Sequence, residues 1–329
     1  DNTIREWSLS TGQCVRRLQG HSDSVTCLVL SSDGSRLYSG SLDKSIREWS
    51  LPNGDCIRRL EGHSREVTSL VLSSDGNHLW SGSKDSAIRE WSVWSGECVR
   101  RLEGHSRGVT SLVLSCDGNN LFSGADDATI CEWSLSRGEC VRRLEGHAAE
   151  VTSLVLSSDG SRLYSGSSHR DKTIREWSLW SGESVRRLQG HSDTVTCLAL
   201  SSDRTRLYSG SRDKTIQEWS LSSGECVRLL EGHSEAVTSL VLSADGSRLY
   251  SGSLDNTILE WSLSSGECVR RFEGHSGGVT SLVLYASRRG IYSGSLDNTI
   301  REWSLSSGEC VGRLEGHSFG VTGLVLSSD

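Results

Sequence analysis

The sequence contains no methionine and only one proline, Pro52, among its 329 residues. It also lacks any apolar run near the roughly 18 residues that a membrane-spanning helix needs, so no membrane contact is expected. Its net charge of −7 argues against a nucleic-acid partner, which favours a basic surface. Because the chain begins at Asp1 without methionine, we expect it to be a processed or excised piece of a longer product.

The eleven cysteines form no CxxC pair and no His/Cys cluster, so neither a metal site nor another cofactor is expected. Seven share one position of a sequence repeat: Cys14, Cys56, Cys98, Cys140, Cys226, Cys268 and Cys310. Equivalent positions of neighbouring repeats should lie beyond the ~7 Å Cα limit of a disulfide. We therefore predict free, buried cysteines that act as small hydrophobic side chains, in a reducing, cytoplasmic compartment.

A repeat of 42 residues runs through the chain. Eight Gly-His pairs and eight Glu-Trp pairs recur at this spacing, with one 44-residue step near His169 and Arg170. Each unit contains four short alternating apolar runs separated by turn signals, in the first unit Val25–Leu30, 37–41, 46–51 and Cys56–Leu60. No stretch has helical periodicity. Four strands in about 42 residues are typical of one propeller blade.

With these Gly-His and strand-Trp motifs, the chain resembles the WD-repeat β-propeller family over its whole length. The resemblance implies an all-β, closed β-propeller and one hydrogen-bonded His–Ser–Asp–Trp tetrad in each blade. The tetrads carried over are His21, Ser39, Asp43, Trp49; His63, Ser81, Asp85, Trp91; His105, Ser123, Asp127, Trp133; His147, Ser165, Asp171, Trp177; His191, Ser209, Asp213, Trp219; His233, Ser251, Asp255, Trp261; and His275, Ser293, Asp297, Trp303.

The sequence departs from the family pattern at three points. Ser50 and its equivalents replace the usual Asp after Trp, Glu precedes Trp in all eight copies, and the first turn lacks the family's proline. None of these changes affects the tetrad.

The repeats predict one domain, 1–329, with eight blades. The units are 21–62, 63–104, 105–146, 147–190, 191–232, 233–274, 275–316, and 317–329 joined with 1–20. The last unit would combine both termini and has no tetrad serine. Joining the ends would also protect edge strands.

Two constellations have both a structural and a functional interpretation. Ser, His and Asp together could serve acyl transfer, but a catalytic triad is needed once and this set recurs in at least seven units, which favours a structural role. Glu48 should face Arg58 or Arg59 across a hairpin, and most units repeat this pattern. This predicts compensated ion pairs, and a charged ligand groove is the alternative.

Candidate partner contacts lie in loops. Trp94 and Trp180 replace Ser in a turn, where they either pack on their own blade or form a contact site. The residues before the first strand and before the tetrad Asp vary most between units. We predict that they form a face with an apolar and a charged half, although drift at tolerant positions also explains them. The predicted set is Leu42, Arg65, Lys84, Arg107, Arg170, Arg212, Leu254, Leu296 and Phe319.

The function predicted from these patterns is a non-enzymatic protein-interaction scaffold that binds a protein or peptide partner on a loop face and is monomeric as a domain. One alternative is a ligand-sensing repeat module of a larger NTPase-type receptor, because the units are nearly identical and differ mainly in loops. A propeller hydrolase is the second alternative. It would need unique acidic or His residues on the innermost strands, and Val25–Leu30 and its copies contain none.

Overall fold

The computed structural model describes residues 1–285 and 290–327, and all regular elements in these residues are β-strands. A two-stranded sheet contains β1 (Thr3–Trp7) and β2 (Cys14–Gln19). Seven four-stranded sheets follow, which we call blades 1 to 7. Their strands pair antiparallel in sequence order, so that each chain segment from one Gly-His pair to the next forms one sheet.

The first three blades have the following strands. Blade 1 has β3 (Val25–Leu30), β4 (Arg36–Ser41), β5 (Ile46–Ser50) and β6 (Cys56–Leu60). Blade 2 has β7 (Val67–Leu72), β8 (His78–Ser83), β9 (Ile88–Ser92) and β10 (Cys98–Leu102). Blade 3 has β11 (Val109–Leu114), β12 (Asn120–Ala125), β13 (Ile130–Ser134) and β14 (Glu139–Leu144).

The remaining blades repeat this plan. Blade 4 has β15 (Val151–Leu156), β16 (Arg162–Ser167), β17 (Ile174–Ser178) and β18 (Ser184–Leu188). Blade 5 has β19 (Val195–Leu200), β20 (Arg206–Ser211), β21 (Ile216–Ser220) and β22 (Cys226–Leu230). Blade 6 has β23 (Val237–Leu242), β24 (Arg248–Ser253), β25 (Ile258–Ser262) and β26 (Cys268–Phe272). Blade 7 has β27 (Val279–Tyr285), β28 (Gly290–Ser295), β29 (Thr299–Ser304) and β30 (Cys310–Glu315).

The prediction of eight blades, the last built from both termini, is wrong: the structure contains seven four-stranded blades. The reason is visible in the strand inventory. The chain has eight copies of the Gly-His and Glu-Trp motifs but only seven of the second-strand segment represented by Arg36–Ser41. β1 and β2 therefore form only a two-stranded sheet, and residues 321–327 form no strand. Residues 328 and 329, which the prediction also included, lie outside the described residues.

The chain divides into two compact regions. The N-terminal region comprises residues 1–154 with Ser327, and the C-terminal region comprises Val155–Leu326. The first contains the β1–β2 sheet and blades 1 to 3, and the second contains blades 5 to 7, with the strands of blade 4 divided at β15. The organisation as a single domain stays a prediction.

Burial follows the order of the strands within each blade. The second strand is almost wholly buried, as in β4, whereas the fourth alternates between half-buried and exposed residues before a buried last residue, as in Cys98–Leu102. Close packing between blades explains the small residues of the second strand. A Cβ atom at Gly40 would lie 2.6 Å from Cγ1 of Val67 in blade 2, so no larger residue fits there.

Neighbouring blades share hydrophobic clusters that contain one aromatic ring from a second strand. Between blades 1 and 2, Tyr38 packs with Ile46, Leu60, Val67 and Trp91. Trp80, Tyr164, Tyr208 and Tyr250 take the same place in four further clusters. Burying these rings and aliphatic side chains supplies most of the stabilisation of each pair of blades.

In the part of the chain that the structure describes, no helix has the length and hydrophobicity needed to cross a membrane.

Candidate functional site

The predicted tetrad of blade 1 forms a continuous hydrogen-bonded chain. Trp49 Nε1 donates to Ser39 Oγ at 2.8 Å, Ser39 Oγ lies 2.7 Å from His21 Nε2, and His21 Nδ1 lies 2.8 Å from Asp43 Oδ2. Asp43 also accepts the backbone N–H of Ser22. This series of hydrogen bonds joins the second strand, the third strand and two loops at one end of the blade.

The same three contacts recur with little variation. In blades 2, 3, 5, 6 and 7 the Ser–His distance is 2.7 or 2.8 Å and the Trp–Ser distance is 2.8 Å. The His–Asp distances there range from 2.7 to 3.1 Å. In blade 4, Trp177 donates to Ser165 at 2.8 Å and Asp171 accepts from Thr173 at 2.9 Å.

The protonation of the tetrad follows from these contacts. Burial opposes ionisation of Asp43, but hydrogen bonds from Ser45, His21 and backbone N–H groups outweigh it and hold the pKa of Asp43 well below its usual range. Burial lowers the pKa of His21, which keeps the imidazole neutral near pH 7. His21 therefore donates through Nδ1 to the carboxylate and accepts the Ser39 hydroxyl through Nε2. Since Ser39 is fully buried, this geometry suits a structural link better than a nucleophile.

The ion pairs predicted across the third and fourth strands are confirmed. Glu48 lies opposite Arg58, with 3.7 Å between Arg58 Nε and Glu48 Oε2, and its side chain is 1% exposed. Equivalent pairs, at 2.7 to 3.7 Å, are Glu6–Arg16, Glu90–Arg100, Glu132–Arg142, Glu176–Arg186, Glu218–Arg228 and Glu260–Arg270. The carboxylate lies between strands and does not line an open groove.

Sequence reasoning missed two further partners of this site. Arg36 on the second strand also pairs with Glu48, and Tyr38 Oη lies 3.3 Å from the same carboxylate. Arg58 in addition donates to the carbonyl of Val93 in blade 2, at 2.8 Å. Arginine recurs at the repeat position of Arg36, and this recurrence was the sequence signal for the second cation. The bond from Arg58 to the carbonyl of Val93 depends on how neighbouring blades pack, so the sequence pattern could not indicate it.

A repeated threonine provides a second link between blades that the sequence analysis missed. Thr26 Oγ1 lies 2.6 Å from the carbonyl oxygen of Val67 and 3.0 Å from that of Gly40. The equivalent threonines make the same contact, at 2.5 to 2.8 Å, with the carbonyl of the valine 41 residues later in the chain. They are Thr68, Thr110, Thr196, Thr238 and Thr280. The invariant Val-Thr of the first strand was the signal for this role.

In blade 7, glycine stands at the two positions that carry the cations of the repeated ion-pair site in blade 1. Gly290 and Gly312 lie opposite Tyr285 and Glu302 in its sheet, at the positions that Arg36 and Arg58 occupy in blade 1. Glu302 is half-buried, and no residue of 1–285 or 290–327 forms an ion pair with it. This carboxylate is therefore a local departure from the repeat.

The apolar residues of the predicted partner-binding set are exposed. The exposed fractions are 38% for Leu42, 43% for Leu254, 54% for Leu296 and 69% for Phe319. In the C-terminal region, Leu254 lies beside Gly278, where a Cβ atom would be 2.7 Å from its Cδ2. Leu296 lies in the same way beside Gly320, and its N–H donates to the carbonyl of Gly278. These contacts bring the loops of blades 6 and 7 together.

The charged residues of the set behave differently from one another. Lys84 binds Asp126 at 2.7 Å and Arg65 lies 3.8 Å from Glu66, so both cations are partly compensated within the chain. Arg107, Arg170 and Arg212 are exposed, and within residues 1–285 and 290–327 no ion pair involves their side chains. Arg65, Lys84 and Arg107 lie in the N-terminal region, whereas Arg170 and Arg212 lie in the C-terminal region.

The two turn tryptophans are almost fully exposed. Trp94 is 90% exposed and Trp180 is 94% exposed, so little of either ring is buried against its own blade. Their use as contact residues stays a prediction.

The predicted burial of the repeat cysteines is wrong. Cys56, Cys140, Cys226, Cys268 and Cys310 are exposed, and Cys14 and Cys98 are half-buried, because this position begins the outermost strand. Their Sγ atoms instead donate to a carbonyl two residues ahead, as in Cys56 to Arg58 at 3.5 Å. Cys27 and Cys197 occupy the first strand, where burial raises the pKa of each thiol to about 11.

Blade 3 contains a second cysteine beside the repeat cysteine. Cys131 replaces the arginine found at positions 47 and 89, and it is fully buried. Hydrogen bonding to the Cys131 thiol lowers the pKa of Cys140 to about 7, with a further contribution from the backbone near Arg142. Within the described residues, no group of three or more His, Cys, Asp and Glu side chains could hold a metal ion.

Comparison with known proteins agrees with the repeat pattern. The family model described as "WD domain, G-beta repeat" matches residues 12–50, 54–92, 96–134, 138–178, 182–220, 224–262 and 266–304. A crystal structure of the computationally designed Ika8 protein is similar, with a TM-score of 0.84, 31% identity, and coverage of 94% of this chain and 93% of that one.

Two curated proteins are similar over a single 45-residue segment, or 14% of this chain. One is an uncharacterized WD repeat-containing protein of Schizosaccharomyces pombe, with 51% identity over 12% of its length. The other is Protein groucho of Drosophila melanogaster, with 44% identity over 6% of its length. The match thus spans only a small part of either relative.

Proposed function

This chain belongs to the WD domain, G-beta repeat family, and from that premise we propose that it binds a protein or peptide partner through the loops that carry the tetrad His and Asp residues. WD40 propellers generally serve as scaffolds for protein interaction. The proposal extends this general role to particular loops and assigns no enzymatic activity to the chain.

The exposed apolar side chains of the C-terminal region carry the proposal. Leu254, Leu296 and Phe319 are all more than 40% exposed, in loops that succeed one another across blades 6 and 7. Gly277, Gly278 and Gly320 leave the backbone between them without side chains. An exposed apolar patch of this kind is a liability unless a partner covers it, which supports a binding role over drift.

Charged residues define the second half of the proposed partner. The exposed guanidinium groups of Arg170 and Arg212 in the same region can each give two parallel hydrogen bonds to a carboxylate or phosphate. We therefore propose a peptide that has both a hydrophobic anchor and an acidic group. Leu42, Arg65, Lys84 and Arg107 of the N-terminal region remain further candidates, with Lys84 the weakest because Asp126 already binds it.

The test uses peptides selected on the wild-type protein from a random displayed library. Their Kd is then measured for the variant Leu254→Ser/Leu296→Ser/Phe319→Ser. The matched control is Val185→Ser/Val227→Ser/Val269→Ser, which removes three exposed apolar side chains from fourth strands. We expect the loop variant to weaken binding by at least about tenfold, since few anchors dominate an interface, and the control to change it little.

Folding of both variants is checked by their thermal unfolding transitions. Equal Kd values for wild-type protein and a folded loop variant would remove these loops as the binding site.

A receptor-sensor role is a second candidate, supported by one observation. The units keep nearly identical strands, whereas positions such as 65, 107, 277 and 319 differ from unit to unit. Such a pattern suits a scaffold whose loops adapt to a ligand. Detection of an NTPase domain in the same polypeptide would favour this role, and exposed thiols such as Cys56 support a reducing, cytoplasmic location for either candidate.

A further inference from the structure

Blade 3 carries two cysteines on one face of its outer hairpin. Cys131 lies on β13 and Cys140 on β14, where Cys131 pairs with Arg143 and Trp133 pairs with Cys140. Side chains alternate along a strand, so Cys131 shares its face with Trp133, and residues paired across two strands point to the same side. Cys131 and Cys140 are therefore diagonal neighbours. The register is irregular between them, at the step from Glu132 to Trp133.

The other sheets show that side chains at these two positions touch. In blade 1 the Cys131 position holds Arg47, whose Nη1 atom lies 3.3 Å from the Sγ atom of Cys56, the equivalent of Cys140. The same arginine–cysteine contact recurs in three further sheets, at 3.3 to 3.7 Å. In blade 3 a thiol replaces the arginine, and the Cys131 thiol hydrogen bonds to Cys140 instead. The remaining units have Arg, Gln or Leu at this position, so only blade 3 has a dithiol here.

The two thiols differ in their access to solvent. Cys131 is fully buried, and its Sγ atom lies 3.8 Å from Nδ1 of His105 in the tetrad. Cys140 is exposed, and its thiol donates to the carbonyl oxygen of Arg142 at 3.3 Å. A reagent in solution therefore meets Cys140 first, and Cys131 lies behind it.

The surroundings also assign different chemistry to the two thiols. The hydrogen bond from Cys131 lowers the pKa of Cys140, whereas the same bond and burial raise the pKa of Cys131 well above its usual range. Arg143 supplies a positive charge beside both thiols, and its Nη2 atom is held 2.8 Å from the carbonyl oxygen of Gly104 and 3.2 Å from Asp127 Oδ2. The thiolate is the attacking form of cysteine, so Cys140 reacts first and Cys131 remains a thiol until a disulfide is next to it.

We propose that Cys131 and Cys140 form a redox-modification site, at which a small soluble disulfide such as glutathione disulfide converts the two thiols into a reversible intramolecular disulfide. First, the Cys140 thiolate attacks one sulfur of glutathione disulfide, and one glutathione leaves and takes up the proton lost by Cys140. The Cys131 sulfur then attacks the Cys140 sulfur, and the second glutathione leaves with the proton of Cys131. The protein loses two electrons and two protons, and glutathione disulfide is reduced to two molecules of glutathione.

The structural effect of the bond falls on the tetrad of blade 3. To bond with Cys140, the Cys131 sulfur must turn away from His105, which it contacts in the reduced protein. Arg143 contacts Asp127 and the carbonyl of Gly104, the residue before His105, so it connects the same strand pair to the tetrad loop. We therefore expect oxidation to change the environment of the His105 imidazole.

The experiment uses the full chain and glutathione disulfide, with Cys268 as the internal reference. The reduced protein is incubated with the probe, its remaining thiols are alkylated, and tryptic peptides are analysed by mass spectrometry. Cys268 is exposed at the same repeat position as Cys140, but its third-strand neighbour is Leu259. Of the modified molecules, the fraction that still carries glutathione should be at least about tenfold lower at Cys140 than at Cys268, because only Cys140 has a second thiol to displace it.

Two variants locate the bond. Trypsin cleaves after Arg137, so the disulfide joins the peptides 108–137 and 138–142, but the first of these also contains Cys116. Cys116→Ala should leave the linked peptides in place. Cys131→Ala should abolish them and leave glutathione on Cys140. In the wild-type protein, oxidation should shift the imidazole NMR signals of His105 and leave those of His63 in blade 2 unchanged, and a dithiol reductant should reverse the shift.

Three results would overturn the proposal. They are an unmodified Cys140, a Cys140 that retains glutathione to the same extent as Cys268, and linked peptides that persist in Cys131→Ala. The comparison of Cys140 with Cys268 needs no substitution, so it decides the outcome even where a variant does not fold. His105 signals that stay in place while the bond forms would overturn the expected effect on the tetrad.

Discussion

At the scale of single residues, the internal repeats act as natural controls for one another. A position can be compared across seven blades, so a departure such as Gly312 or Cys131 shows what the usual residue contributes. The comparison separates the Glu–Arg contacts, which recur, from features confined to one blade. Two predictions follow from such departures.

The first prediction concerns Gly312, which lies opposite Glu302 where the other sheets have arginine. Gly312→Arg should raise the free energy of unfolding by up to about 1 kcal/mol, because it introduces the partly exposed ion pair present in seven other sheets. A Cβ atom at Gly312 would lie 3.1 Å from Glu302 Oε2, so the carboxylate must shift slightly to admit the arginine. Urea unfolding of wild-type and variant proteins measures the change.

The control is the same substitution in a Glu302→Gln background, where the gain should disappear. An equal gain in both backgrounds would show that the added arginine acts without the carboxylate.

The second prediction concerns Cys140. At pH 7 it should react with a soluble disulfide about fivefold faster than Cys268, which occupies the same exposed repeat position. The lowered pKa of Cys140, about 7, increases its thiolate fraction, and this outweighs the lower intrinsic nucleophilicity of a more acidic thiol. Burial raises the pKa of Cys268.

Mass spectrometry after timed labelling measures both rates. Cys131→Ala should slow Cys140 towards the rate of Cys268. An unchanged rate would mean that the neighbouring thiol does not activate Cys140.

At the scale of strands and turns, the connection between the second and third strands places one residue in the left-handed region of φ. The residue is Lys44 in blade 1, Ala128 in blade 3 and Asn298 in blade 7, with φ of 70°, 66° and 70°. Asparagine tolerates this conformation, whereas alanine and lysine adopt it at a cost. The repeats therefore contain both favourable and strained versions of one turn.

The third prediction uses this difference. Ala128→Asn should stabilise the protein by roughly 0.5–1 kcal/mol, and Asn298→Ala should destabilise it by a similar amount. Both substitutions change an equivalent turn in opposite directions, so each is the control for the other. Thermal or urea unfolding measures the two effects, and changes of the same sign would contradict an explanation based on backbone conformation.

At the scale of the whole molecule, the repeated tetrads make stability depend on pH. Hydrogen bonds, acting against burial, lower the pKa of Asp43, Asp85, Asp127, Asp213, Asp255 and Asp297 from 3.8. A carboxylate of this kind stabilises the fold above its unfolded pKa and loses that contribution as pH falls through the folded value. Burial lowers the pKa of His21 and His275 from 6.5, so the unfolded chain takes up these protons first.

The fourth prediction is a decline of stability with acid in two ranges. The free energy of unfolding should decrease gradually below pH 6.5, where His21 and His275 protonate in the unfolded chain. It should decrease steeply below pH 3.8, where the unfolded aspartates take up protons. Urea unfolding between pH 7.5 and 3 measures the profile. Asp43→Asn should be less stable at pH 7, and its deficit should shrink as the pH falls below 3.8; a constant deficit would contradict the linkage.

The sequence by itself determined the repeat, the four strands of each unit and the tetrad residues. Gly-His, Ser-Gly, Asp and Glu-Trp recur at a fixed spacing, and short alternating runs specify strands through local patterning and turn residues. The Glu48–Arg58 pair was also readable from the sequence, because a short hairpin fixes which residues of its two strands lie opposite one another.

Only the tertiary structure decided what depends on how strands are stacked and how many are present. The count of seven blades follows from the number of second strands, since a motif in one strand cannot create the sheet around it. The exposure of Cys56 follows from its place in the outermost strand, and the bonds from Thr26 to Val67 and from Arg58 to Val93 cross between sheets. Such contacts join residues 35 to 41 positions apart, and no local pattern encodes the distance between two packed sheets.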